Sequence, residues 1–208
     1  MNTMTDALKR AACAAIDAQA QRLTAFGRDI LAHPELGYKE TRTAGKVLEA
    51  FASLGLTDVT RPARTGVKGW LWRGAGPRVA VIGELDAVLS PGHPFADKAT
   101  GAAHACGHNA HCAMAVLAAL ALAEAKDQFQ GTVYAFGTPA EEENGAKIGM
   151  AAKGAFDGLS LATMIHSWSG PASISDMDVL SLRCYLVEFK GVSAHAVAGP
   201  WKGHSALA

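Results

Sequence analysis

The chain has 208 residues, 50% of them hydrophobic and 18% charged, with Lys plus Arg and Asp plus Glu balanced at 19 each. That length can bury the core of one substantial domain, or one and a half, and the even charge leaves no basic surface for nucleic acid. The longest apolar run, Ala113 to Ala123, falls short of the roughly 20 residues of a membrane span, and Asp6, Lys9, Arg10 and Asp17 interrupt any secretory core. A soluble, cytoplasmic protein acting on a small molecule, with no membrane or nucleic-acid partner, is expected.

Met4 to Leu31 is rich in Ala, Gln and Leu, and Leu23, Phe26 and Ile30 recur at helical spacing, which predicts a helix that Pro34 ends. His33-Pro34-Glu35-Leu36-Gly37-Tyr38 reads as a turn. Ala44, Val47, Leu48, Phe51 and Leu54 then form one apolar stripe, with Gly55 where a left-handed cap belongs. Val67 to Trp72, Val79 to Ile82, Val133 to Phe136 and Leu161 to Ile165 read as strands. The last three are continuous apolar runs of the kind covered on both faces. They alternate with helices predicted for about His111 to Ala125 and for Ala146 to Lys153.

Such alternation predicts an α/β fold, three layers deep around a mainly parallel sheet, with ligands bound beyond the carboxyl ends of the strands. Glu84 and Asp86 end one strand, Glu141 and Glu142 follow another, and His166 follows a third. After Ser167-Trp168-Ser169-Gly170-Pro171 the character changes, and Leu182 to Lys190 has the mixed pattern of an antiparallel strand. A domain break is placed near Ser175 to Asp178, giving 1–176 and 177–208. Ser205 to Ala208 reads as the start of a helix without a stop signal, the mark of a fragment.

Ala105-Cys106-Gly107-His108-Asn109-Ala110-His111 sets a thiol and two imidazoles close together, and a glycine between two of them lets the backbone turn both toward one point. Pro139-Ala140-Glu141-Glu142-Glu143 adds a carboxylate with a spare beside it. Sulfur, imidazole and carboxylate donors suit Zn, Mn, Co or Ni better than Mg or Ca. Adjacent carboxylates at a metal divide labour, one coordinating and the other carrying a proton. His166 ends an apolar strand at the same sheet edge, and Asp86 stands where a carboxylate orients a ligand. His195 lies outside the sheet domain and acts only if the second domain covers the site.

Blander assignments hold elsewhere. Cys13 and Cys112 read as small buried hydrophobes, Glu143 as a solvated acid at a helix start, and His33, His93, His104 and His204 carry no comparable case. Four scattered cysteines form no disulfide framework, and without a Cys-x-x-Cys pair a thiol redox protein is disfavoured.

Taken together, His33-Pro34-Glu35-Leu36-Gly37, Gly83-Glu84-Leu85-Asp86-Ala87, His104-Ala105-Cys106-Gly107-His108-Asn109, Pro139-Ala140-Glu141-Glu142, His166 and Ser193-Ala194-His195-Ala196 follow the order of one family. The chain resembles the metal-dependent aminoacylase/carboxypeptidase family of exopeptidases and amidohydrolases, in the branch of hippurate, indole-acetyl-amino-acid and p-aminobenzoyl-glutamate hydrolases. The resemblance implies a zinc-exopeptidase-like α/β/α catalytic domain with the start of an inserted α+β lid that mediates dimerisation. It implies one or two divalent ions, with Cys106 bridging and His108, Glu142 and His166 as further ligands. Glu141 becomes the general base, His195 the donor to the oxyanion, and Asp86 and Asn109 stand behind the ligands.

Three departures are visible. Asn109 replaces the Asp of many members, the segment Ser90 to Ala102 is longer than the connection expected there, and a late histidine ligand of the longer relatives has no counterpart. The implied activity is hydrolysis of the amide bond of N-acyl amino acids or dipeptide-like substrates. The rival is a catalytically inactive fragment or interaction module, motivated by an open sheet edge.

Overall fold

A computed structural model describes residues 3–55, 59–72, 74–125, 127, 130–175, 181 and 185–207. The chain divides into two compact units, Met1–Pro171 and Ala172–Ala208. The break expected after residue 176 falls on residues 176–180, outside those described.

In the first unit, helix α1 (Thr3–Ala32) buries Leu23 and Ile30 and stops just before Pro34. Helix α2 (Thr41–Ala52) buries Val47 and Phe51. Its first N–H groups lack helical partners, and the Glu35 carboxylate fills two of them, accepting from Arg42 N at 2.9 Å and Thr43 N at 2.8 Å. The Pro34 turn thereby becomes the cap of the second helix. Its Glu35 carbonyl also accepts from Ala87 N at 2.8 Å, which ties the turn to the strand exit described next.

Four strands form one sheet in the order β1 (Val67–Trp72), β5 (Thr132–Thr138), β2 (Arg78–Glu84), β6 (Leu161–Met164). β1 runs antiparallel to β5, while β5, β2 and β6 are parallel. All seven residues of β5 are buried, as a central strand requires. Alternation along it sends Val133 and Ala135 to one face, where they pack with α1, α2 and helix α3 (His108–Glu124). Tyr134 and Phe136 go to the other, against Met150 of helix α5 (Ala146–Ala152) and Phe156. The three-layer, mainly parallel α/β architecture expected from the sequence is present. A ribbon of β3 (Val88–Leu89) with β4 (Ala102–Ala103), which periodicity did not signal, closes the long Ser90 to Ala102 connection.

Three expectations need correction. β6 is not covered on both faces: it pairs with β2 alone among the described residues, and Leu161 remains 59% exposed. An apolar run reports what a strand can pack against, not what lies there. In the second unit, residues 185–190 form no strand, and residues 182–184 lie outside those described. The unit holds an antiparallel bridge between Val192 and His204 and a 3-10 turn at Pro200–Lys202. The expected helix start at Ser205 is a turn, with Ser205 Oγ accepting from Leu207 N at 3.2 Å. Among the described residues no helix is long and apolar enough to cross a membrane.

Gly83 sets how closely α3 approaches the sheet. A Cβ there would lie 2.8 Å from the Ala115 Cβ, 3.0 Å from the His111 carbonyl oxygen and 3.1 Å from the Cys112 Cα. Gly83→Ala should therefore push α3 off β2 and cost about 1–3 kcal/mol. Thermal unfolding of the variant checks this, at about 2–4 °C per kcal/mol for a chain of this size.

Candidate metal centre

The carboxyl ends of β2, β5 and β6 lie side by side, and each opens into a segment that carries polar side chains. β2 ends in Glu84 and runs on to Asp86, both buried. β5 leads into Ala140, a buried non-glycine residue at φ 48°, in the left-handed region. That conformation costs an L-residue roughly 1–2 kcal/mol, and it turns the chain sharply into helix α4 (Glu141–Asn144). The turn is held from behind: buried Glu40 accepts from Ala140 N at 2.8 Å and from Thr65 Oγ1 at 2.6 Å. Burial pushes the Glu40 carboxyl above its ordinary range, against those hydrogen bonds.

Gly107, at φ 88°, caps α3, so the helix begins at His108, three residues earlier than the sequence suggested. Cys106 stays outside the helix, while His108 and His111 stand one turn apart on the same buried face. The His108 ring donates from Nδ1 to the Asp86 carbonyl at 2.9 Å, with Asp86 Oδ1 3.4 Å away. Asp86 Oδ2 accepts from Glu142 N at 2.9 Å. One residue thus fixes both a ring on α3 and the backbone of α4. His166, just past β6, donates from Nδ1 to the Ser167 carbonyl at 2.7 Å and turns Nε2 toward Cys106 Sγ, 3.3 Å away.

Cys106, His108, Glu142 and His166, the four residues expected as ligands, are therefore brought to one place, with Glu141 beside them. Glu142 Oε1 is 3.9 Å and Glu141 Oε2 4.0 Å from His108 Nε2. Asp86 contacts two of them, His108 and Glu142. Asn109 points elsewhere: its amide donates to the Gly27 carbonyl at 3.2 Å, tying α3 to α1. His195 belongs to the second unit, where its Nδ1 accepts from Ala198 N at 3.0 Å and leaves Nε2 to carry the ring proton.

Other residues join the group without having been singled out as ligands. Glu84 Oε2 lies 3.1 Å from His108 Nε2 and 3.7 Å from His111 Nδ1, and its Oε1 pairs with Lys147. The signals were there for two of them: Glu84 shares a strand face with Asp86 at i+2, and His111 follows His108 by three on a helix. Lys147 and Ser167 had none. His104 is buried with both ring nitrogens unpartnered, and burial, then the nearby His108, hold its ring down to about 4.

Two overlapping sets of donor atoms, Cys106–His108–Glu142 and Glu84–His108–His111–His166, each have their members within 4.8 Å of one another. A divalent cation fits them on the state of their atoms. Glu84 Oε2, His108 Nε2 and Glu142 Oε1 are all buried without a hydrogen-bond partner, a costly arrangement unless a charge completes it. Burial, then Glu142, Glu141 and Glu84, push the Cys106 thiol up to about 12. A bound metal reverses that logic and deprotonates a coordinating thiol. Burial and then the Glu84 charge raise Glu141 as well.

The model of peptidase family M20/M25/M40 matches residues 80–189. Xaa-Arg dipeptidase of Mus musculus is 34% identical over 96% of this chain, which spans 47% of that protein. A p-aminobenzoyl-glutamate hydrolase polypeptide of Escherichia coli strain K12 is 31% identical over 93% of this chain and 42% of its own length. The chain therefore spans somewhat less than half of these curated relatives. Among solved structures, the YXEP protein of Bacillus subtilis, described as a dinuclear metal binding peptidase, superposes with a TM-score of 0.62 at 29% identity, over 70% of this chain and 42% of its own.

The electrostatics of Glu84 make a pH prediction for the metal-free chain. Burial alone would raise its carboxyl, but the His111 ring and the Lys147 ammonium outweigh it and hold it down to about 2. A group depressed in the folded state stabilises above its unfolded value, about 4.3 for glutamate, and that stability is lost as pH falls toward 2. Urea midpoints should accordingly drop between pH 4.5 and 2, with a shallower drop in Glu84→Gln.

Proposed function

Since the chain belongs to peptidase family M20/M25/M40, we propose that it is the metal-binding part of an amide hydrolase acting on N-acyl amino acids or dipeptide-like substrates. The convergence of Cys106, His108 and Glu142, with Glu141 beside them at the carboxyl edge of the sheet, carries this proposal. Xaa-Arg dipeptidase and p-aminobenzoyl-glutamate hydrolase, to which it is similar, are both named for substrates with an amide bond to an amino acid.

Cys106, His108, Glu142 and His166 would hold one or two ions of Zn, Mn, Co or Ni, the metals that sulfur, nitrogen and carboxylate donors favour. When bound, such an ion acidifies water and polarises a carbonyl oxygen. Asp86 keeps the His108 ring and the Glu142 backbone in place, and orienting partners of this kind govern both affinity and geometry. Glu141 is the proton carrier. It stands 40% exposed, open to an entering substrate, and its raised proton affinity suits a group that takes a proton from water and returns it to the leaving amine. His195 donates its Nε2–H to the oxyanion, a role its tautomer supports. A homodimer of the longer protein, working in the cytoplasm, completes the proposal. Exposed Tyr185, Leu186 and Phe189 in the second unit are the kind of surface that association covers.

One observation favours a rival, a catalytically inactive fragment or interaction module: among the described residues β6 pairs on one side only, and Leu161 and the following Ile165 are exposed. Metal content and amide hydrolysis, measured on this chain and on a longer version, separate the two. Under the hydrolase proposal, Glu141→Gln in the active form retains its metal but loses about 10²- to 10⁴-fold in turnover of N-acyl amino acids or dipeptides. Wild-type turnover by that variant would remove Glu141 from the role.

A further inference from the structure

Glu84 and His108 face each other at close range. Glu84 Oε2 and His108 Nε2 are 3.1 Å apart, both buried, and neither makes a hydrogen bond. The Asp86 carbonyl can only accept, so His108 Nδ1 carries the ring proton at that contact and Nε2 of the neutral ring presents a lone pair. Two lone pairs at this distance repel unless a proton or an ion sits between them, and two ligands of one ion belong at this spacing. Donors each about 2.1 Å from a metal stand about 3.0–3.4 Å apart at angles between octahedral and tetrahedral.

We propose that Glu84 Oε2 is a further ligand of the ion held by His108, an inference that rests on the metal-hydrolase reading above. Its other oxygen is occupied by Lys147, which keeps the carboxylate one-toothed and aimed inward. His111, although its Nδ1 is also close to Glu84 Oε2, is excluded from ligation by its own tautomer. Its Nε2 accepts the Ser167 N–H at 2.8 Å, so in the neutral ring Nδ1 carries the proton and faces Glu84 Oε2 at 3.7 Å. His111 is thus a positioning residue: it steadies Glu84 from behind while His108 and His166 offer bare nitrogens.

The test uses the purified 208-residue chain, Co(II) as the probe, competition with a chromophoric chelator for affinity, and the visible absorption bands for coordination. Glu84→Gln should weaken Co(II) binding by more than about 100-fold, beyond the 10–100-fold loss expected from a supporting partner, and should shift the bands. His111→Gln should weaken binding within that smaller range and leave the bands in place. If Glu84→Gln fails to fold by circular dichroism, Glu84→Gln/Lys147→Met removes the buried pair together and carries the same expectation. Unchanged bands in the folded Glu84 variant overturn the inference, provided Cys106→Ala and His108→Ala lose the ion. If those two also bind like the wild type, the metal-hydrolase reading falls, and this inference falls with it.

Discussion

A buried acceptor has to find its donors inside the protein, and Asp86 joins two different elements in doing so, one through a carboxylate oxygen and one through its backbone carbonyl. Its Oδ2 takes the backbone N–H of Glu142, and its carbonyl takes the ring N–H of His108. The exit of β2, the first turn of α3 and the first turn of α4 therefore meet at one residue with no exposed surface. Because neither neighbour can shift without orphaning a buried acceptor, the spacing between the imidazole and the glutamate is set by the fold. It need not wait for a ligand to impose it.

The same economy recurs one layer back. Glu40 is as deeply buried as Asp86 and spends one oxygen on Ala140, the residue forced to positive φ just before Glu141. A left-handed alanine persists where its surroundings over-determine it. Here the Glu40 bond does so from one side, while Gly37 leaves room on the other: a Cβ at Gly37 would sit 3.0 Å from the Ala140 Cβ. The His33 to Tyr38 turn and the residues after it thus support a turn a hundred positions away, which gives a physical reason for a motif with no side chain among the candidate ligands.

Much of this was legible before any coordinates, because it follows from local signals. A strand that ends in an acid, a glycine between two metal-binding residue types and a pair of glutamates after an apolar run each mark a sheet edge by themselves. What could not be read depended on where a helix begins and what surrounds it. Starting α3 at His108 puts Asn109 about 100° round the axis, on the face toward Gly27, so it cannot share the surface of its neighbour. The same start brings His111 under His108. Lys147 reaches Glu84 across 63 positions, a meeting that no local pattern announces. β6 shows the opposite limit, since its composition is that of a buried strand and its position, among the described residues, is an edge.

Charge balance ties these pieces to the proposed chemistry. Glu84, Asp86, Glu141 and Glu142 gather around a half-buried thiol, and their fields act on one another: Glu142, Glu141 and Glu84 all raise Cys106, and Glu84 raises Glu141. Lys147 offsets Glu84 and works against the rise of Glu141, yet Glu141 stays raised. Negative charge concentrated where water is scarce is tolerated when a cation of higher valence shares the space, and a divalent ion would also take up the lone pairs that now lack partners. Glu141, the most open of the four carboxylates by side-chain exposure, is then the one left free to exchange a proton with whatever enters.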